Sequence, residues 1–70
     1  MAEHISNSVH SYRTRKGLTQ EELAEKVGIT RQTVISIEKG NYTPSVLLAL
    51  KIAGVFKAGV EDIFRISYDR

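Results

Sequence analysis

The sequence predicts an all-α domain of five short helices and leaves room for a short strand after the last of them. Three observations support this fold class. Apolar residues recur three and four positions apart in successive segments, as they do on one face of a helix. Serine or threonine precedes several of these segments, where it can cap a helix, and glycine follows three of them. At 70 residues without cysteine, the chain is expected to form one domain that lacks disulfides.

The first predicted helix follows a segment without periodicity. Residues 1–7 show no regular pattern and are expected to form a flexible arm. Helix one is predicted over residues 8–16, with Asn7 or Ser6 as its cap. Gly17 ends this helix, because glycine accepts the backbone conformation that commonly follows the last helical residue.

Helices two and three are predicted over residues 20–27 and 31–39, with a tight turn between them. Thr19 and Glu22 have the spacing of a capping box at the start of helix two. Gly28 closes that helix, since glycine reaches the left-handed conformation at no steric cost. Two short helices joined by such a turn form a helix-turn-helix, whose second helix can lie in the major groove of DNA.

Helix three combines an apolar stripe with a polar outer face. Val34 and Ile37 lie three positions apart and are expected to face inward. The outer face carries Arg31, Gln32, Thr33, Ser36 and Lys39. Positive charge exceeds negative charge in this helix and its flanks, whereas negative charge exceeds positive charge in helix two. This asymmetry is expected if one face of the domain meets phosphate groups.

Helix four is predicted over residues 45–56, after a turn that ends in Pro44. We expect one apolar face of this helix to close the core. The residues assigned to that face are Val46, Ala49, Leu50, Ala53 and Phe56.

The last predicted helix, helix five, spans residues 60–64 and completes a domain of residues 8–64. Residues 64–68 then alternate between apolar and polar side chains, which is typical of a strand, but a strand there needs a partner. Residues 65–70 are therefore treated as a tail that can contribute to a dimer contact.

Four segments of the chain carry a family resemblance: GLTQEELAEKVGI, TRQTVISIEKG, NYTPS and VEDIF. On these residues the chain resembles a phage-repressor type (Cro/CI-like) helix-turn-helix regulator of the short, single-domain bacterial kind. The resemblance implies a sequence-specific transcriptional regulator, a repressor, that binds a pseudo-palindromic operator with helix three in the major groove. Members of this family usually carry a polar residue at the position of Leu47 and glycine or asparagine at that of Lys57.

The resemblance also implies roles for individual residues. Base contacts are assigned to Arg31, Gln32, Ser36, Thr33 and Ile35, the last two at the edge of the groove. Phosphate contacts are assigned to Gln20, Lys39, Asn41 and Tyr42. Arg13 is implied to pair with Glu38 and so to tie helix one to helix three. The chemistry agrees, because arginine can pair bidentately with guanine and glutamine with adenine.

A homodimer is expected, since one such module reads too few base pairs for useful specificity. The expected dimer face is apolar and comprises Leu47, Val55, Ile63, Ile66 and Tyr68. A second hypothesis is an antitoxin-like protein-interaction module in which DNA binding is secondary. The oligomeric state of the isolated protein would help to discriminate the two.

The composition argues against other classes of protein. An enzyme is not expected, because a chain of 70 residues cannot hold both a substrate cleft and a core. No cofactor or small-molecule substrate is indicated, and His4 and His10 are too few for a metal site. The sequence has neither the apolar region of a signal peptide nor a membrane-spanning segment. We therefore expect a cytoplasmic protein that binds double-stranded DNA.

Overall fold

A computed structural model describes residues 2–68 of the chain. Its elements, in chain order, are β1 (Glu3–Asn7), α1 (Val9–Arg15), α2 (Gln20–Val27), α3 (Arg31–Glu38), α4 (Val46–Phe56), α5 (Val60–Ile63) and β2 (Phe64–Tyr68). All five predicted helices are present, and each end lies within one residue of its predicted position. Met1, Asp69 and Arg70, which belong to the predicted arm and tail, lie outside the described residues.

The two ends of the described chain form an antiparallel sheet of two strands. Glu3 pairs with Tyr68 at one end of the ladder, and Asn7 pairs with Phe64 at the other. The prediction of a flexible arm is therefore wrong for Glu3–Asn7, and the fold is mostly helical but not strictly all-α. The alternation in residues 64–68 did indicate a strand, but its partner lies almost a whole chain length away, where a local pattern gives no signal.

Asn7 links the sheet to two helices. Its side-chain Oδ1 accepts a hydrogen bond from the backbone N–H of Val9, the first residue of α1, at 3.1 Å. The N-cap position itself is Ser8, so the predicted cap, Asn7 or Ser6, is wrong by one or two residues. Its Nδ2 donates to the carbonyl oxygen of Ile37 in α3 at 2.9 Å. One amide side chain therefore helps to set the position of α3 relative to the sheet.

All five helices contribute side chains to the core. The buried apolar residues are Val9, Leu23, Ala24, Val27, Val34, Ile37, Leu48, Ile52, Ala53 and Ile63. Ile63 is fully buried, so its assignment to the dimer face is wrong. Val55, from the same assignment, is only partly buried but also packs against the core. The short helix α5 therefore closes the core with the residue that sequence reasoning had placed outside it.

The orientation of α4 differs from the prediction. Leu48 and Ile52 face the core, whereas Val46 and Leu50 are 77% and 53% exposed. The sequence of this helix, VLLALKIAGVF, is apolar almost all round, so its periodicity does not identify the buried face. Within residues 2–68, no helix is long and apolar enough to cross a membrane.

The ends of α2 follow the predicted capping chemistry, whereas the N-cap of α1, Ser8, makes no side-chain cap bond. Thr19 and Glu22 form the capping box of α2 through bonds of 3.0 and 2.8 Å, and Gly28 closes that helix at φ 77°. Lys57 ends α4 in the same left-handed region, at φ 52°, and no other non-glycine residue among residues 2–68 has a positive φ. A side chain at such a position is strained, because its Cβ crowds the carbonyl oxygen.

Candidate nucleic-acid interface

The residues that α3 buries determine which side of this helix faces solvent. Val34 and Ile37 are almost fully buried, so the opposite side of α3 faces solvent. Arg31 and Gln32 lie exposed in the first turn of the helix. The other predicted base contacts, Thr33, Ile35 and Ser36, are partly buried. The residues assigned to base contacts are therefore accessible to different degrees on one short helix.

A cleft of about 310 Å³ lies between α3 and the loop that follows it. We call it the reading cleft, and it is lined by Gln32, Thr33, Ser36, Asn41 and Tyr42. It brings together three predicted base contacts and two predicted phosphate contacts.

Most polar side chains of the reading cleft make no hydrogen bond to the rest of the described residues. The Thr33 hydroxyl is within 2.9 Å of the Thr30 hydroxyl. The side chains of Gln32, Ser36, Asn41 and Tyr42, by contrast, make no hydrogen bond within residues 2–68. Their donors and acceptors are available to a ligand that lies along α3.

The opposite side of α3 carries a group of bonded side chains, which we call the Glu38 cluster: His10, Arg13, Gln20 and Glu38. Arg13 donates from Nε to Glu38 Oε2 at 2.7 Å and from Nη2 to Oε1 at 3.3 Å. A third bond runs from Arg13 Nη1 to the carbonyl oxygen of Leu18 at 2.8 Å. The side chains of Arg13 and Glu38 are only 10% and 7% exposed. The predicted pair between helix one and helix three is thereby confirmed as a nearly buried ion pair.

The surroundings of Glu38 favour its ionised form. Burial alone would raise the pKa of this carboxyl group. The hydrogen bonds from Arg13 and Gln20, together with the positive charge of Arg13, outweigh burial and lower the pKa below its ordinary value. At neutral pH, Glu38 is therefore a carboxylate that accepts bonds from two other helices, from Arg13 of α1 and from Gln20 of α2.

The predicted phosphate contacts divide between the two sides of α3. Gln20 donates from Nε2 to Glu38 Oε1 at 3.2 Å, whereas Asn41 and Tyr42 line the reading cleft beside Ser36. Residues two positions apart on a helix, such as Ser36 and Glu38, point to nearly opposite sides. Lys39 lies exposed directly after the helix. Candidate phosphate contacts are therefore present on both sides of the helix that carries the candidate base contacts.

His10 belongs to the Glu38 cluster, a role that the sequence did not indicate. From the sequence, this residue was weighed only as a metal ligand, and further ligands were too few. Its Nδ1 lies 3.4 Å from Glu38 Oε1 and 3.1 Å from Arg13 Nη2. The available signal was its position three residues before Arg13, which places both side chains on one face of a helix. Within residues 2–68, no group of three or more histidine, aspartate or glutamate side chains is placed to hold a metal ion.

Among residues 2–68, the exposed apolar side chains outside the reading cleft form two groups. The first, which we call the helix patch, comprises Val46, Leu47 and Leu50 on one side of α4. The second comprises Ile66 and Tyr68 on β2. Leu47, Ile66 and Tyr68 belong to the predicted dimer face and are accessible to a partner.

Comparisons with known proteins cover the helices of this fold. A family model described as "Helix-turn-helix" matches residues 9–63. The HTH-type transcriptional regulator YgzD of Bacillus subtilis is 55% identical over 60 residues, which are 86% of this chain and 91% of the relative. An HTH-type transcriptional regulator of Archaeoglobus fulgidus is 54% identical over 56 residues, 80% of each chain. Among solved structures, the restriction-modification controller protein C.AhdI from Aeromonas hydrophila is 33% identical, with a TM-score of 0.72 over 77% of this chain and 82% of that chain.

Proposed function

The chain belongs to the helix-turn-helix family, and from this premise we propose that it is a sequence-specific DNA-binding transcriptional regulator. The observation that carries the proposal is the reading cleft, where four polar side chains without partners inside residues 2–68 surround the outer side of α3. Such groups match the donors and acceptors that base pairs present in the major groove. The relatives' names, HTH-type transcriptional regulators, support the same function.

In this proposal α3 reads bases directly. Arg31 pairs with guanine O6 and N7, and Gln32 pairs with adenine N6 and N7, each worth about 1–3 kcal/mol of discrimination. Ser36 adds a hydrogen bond to a third base. Ile35 and Thr33, at the edge of the groove, are suited to a thymine methyl group.

Side chains on both sides of α3 hold the helix against the DNA backbone. Gln20 binds phosphate on the side of the Glu38 cluster, while Asn41 and Tyr42 bind it on the side of the reading cleft. Lys39 adds a positive charge directly after the helix. Contacts of this kind fix the position of the protein without reading sequence.

We propose further that the protein acts as a homodimeric repressor on a pseudo-palindromic operator. The helix patch supports a second copy as the partner, because it follows directly on the loop that carries Tyr42. Ile66 and Tyr68 offer a second apolar surface for the same contact.

Selection from a pool of random duplex DNA, at low and at physiological salt, tests the DNA-binding proposal. We expect a two-fold symmetric site with half-sites about 34 Å apart, bound with a steep dependence on salt. Enrichment of a single half-site would retain sequence readout but contradict the dimeric operator. No enriched sequence at either salt would contradict the proposed function and favour the antitoxin-like protein-interaction module.

Sedimentation analysis tests the dimer separately. Leu47→Glu places a charge in the helix patch and Ile66→Glu places one on β2, so the variant that becomes monomeric identifies the interface. Lys26→Glu is the control, because Lys26 is exposed on α2, away from both apolar groups. If neither Leu47→Glu nor Ile66→Glu weakens association, the proposed dimer face is wrong.

A further inference from the structure

Two side chains from different helices meet at one oxygen atom of Glu38. His10 Nδ1 of α1 lies 3.4 Å from Oε1, and Gln20 Nε2 of α2 lies 3.2 Å from the same atom. The other carboxylate oxygen, Oε2, is held by Arg13 Nε at 2.7 Å. The carboxylate thus gathers the histidine and the glutamine on one side of α3.

The contacts of the His10 ring leave a donor facing outward. A guanidinium group can only donate hydrogen bonds, so Nδ1 accepts from Arg13 Nη2 at 3.1 Å. A neutral ring then carries its proton on Nε2. The His10 side chain is 66% exposed, so the Nε2–H can reach a ligand outside the protein.

Gln20 also has a second N–H donor that the bond to Glu38 does not use. Its amide nitrogen carries two hydrogens, and the bond to Glu38 Oε1 uses one of them. Because His10 Nδ1 and Gln20 Nε2 lie 3.4 and 3.2 Å from the same oxygen atom, their side chains start close together. Arg13 binds both oxygens of the carboxylate, so a negatively charged ligand does not meet an unpaired negative charge.

We propose that His10 and Gln20 bind one phosphate group of the DNA backbone between them, through His10 Nε2–H and the second N–H of the Gln20 amide. Arg13 positions His10, Glu38 positions Gln20 and Arg13, and Glu38 does not itself touch the DNA. This inference rests on the proposed function, since it assigns a contact of the same interface. It adds a phosphate contact on α1, an element to which the sequence assigned only a structural pair.

Affinity measurements on two histidine variants test the contact. The probes are the duplex recovered by selection and a scrambled duplex. We expect His10→Ala to weaken binding about fivefold on both duplexes, because a phosphate contact carries no sequence information. His10→Gln retains a donor, so it should keep most of the affinity. His4→Ala, which changes the other histidine, on β1, is the matched control.

A second probe separates a phosphate contact from an effect on the fold. Single methylphosphonate substitutions remove the charge of one phosphate at a time from the selected duplex. At one position we expect the substitution to lower the DNA affinity of the wild-type protein but to lower that of His10→Ala much less. The proposal is overturned if every substitution weakens both proteins equally, or if His10→Ala binds both duplexes within twofold of the wild type. Failure of the wild-type protein to bind any duplex would instead refute the proposed function itself.

Discussion

The two sides of α3 carry similar polar residues in opposite states. In the Glu38 cluster, the carboxylate is nearly buried and accepts bonds from Arg13 and Gln20. In the reading cleft, Gln32 and Ser36 have no hydrogen-bond partner within residues 2–68. The difference indicates two separate roles. One side of α3 joins three helices, and the other side is open to a ligand. Substitutions on the two sides should therefore separate stability from DNA recognition.

The largest expected effect is the loss of Arg13. Arg13→Ala leaves the Glu38 carboxylate nearly buried without its cation, and we expect a loss of about 3 kcal/mol in the free energy of unfolding. Urea denaturation followed by circular dichroism measures this loss. Arg31→Ala is the matched control, because Arg31 is exposed at the start of the same helix that carries Glu38. Equal stability of the two variants would contradict the division between the two sides of α3.

For sequence-specific DNA binding, we expect Arg31→Ala to have a larger effect than Arg13→Ala. Arg31→Ala should weaken binding to the selected operator by about 1–3 kcal/mol and relax preference at one base position, because a bidentate base contact is lost. Titration of operators mutated at each position measures the change. A uniform loss on all sequences would show that Arg31 contacts phosphate. At temperatures where it remains folded, Arg13→Ala should keep the wild-type sequence preference.

Low pH should reduce the contribution of the Glu38 carboxylate to the stability of the fold. The pKa of Glu38 is lowered by folding, so its contribution to stability is fully present above the ordinary glutamate value of 4.5 and is lost as the pH falls through the lower pKa of the folded state. Wild-type protein should therefore lose stability below about pH 4.5 more steeply than Glu38→Gln. Thermal melting between pH 6 and pH 3 tests this. Parallel profiles for the two proteins would contradict the assigned role of the ionised carboxylate.

The smallest expected effect concerns Lys57, away from both sides of α3. Lys57→Gly should raise the free energy of unfolding by about 0.5–1 kcal/mol, because glycine removes the strain of the left-handed conformation at φ 52°. Lys51→Gly is the control of opposite sign, since glycine inside α4 should lower stability by about 1 kcal/mol. A loss of stability in both variants would show that the Lys57 side chain makes a stabilising contact.

The helices of this protein were predictable because their signals are local. Thr19 and Glu22 are three residues apart, and Gly28 follows directly on the helix it closes. The polar outer face of α3 was also visible in the sequence, but the base and phosphate roles of individual residues came from the family resemblance and stay predictions. The pairing of Arg13 with Glu38 came from the family resemblance, since nothing local connects residues 25 positions apart.

By itself, the sequence determined the five helices, the two ends of α2 and the polar outer face of α3. Only the tertiary structure decided that Glu3–Asn7 pairs with Phe64–Tyr68, that Ile63 is buried and that α4 turns Leu48 and Ile52 inward. It also placed His10 beside Glu38. The physical reason is range: caps and helical periodicity act within a few residues, whereas strand pairing and the choice among several apolar faces depend on what the rest of the chain leaves uncovered.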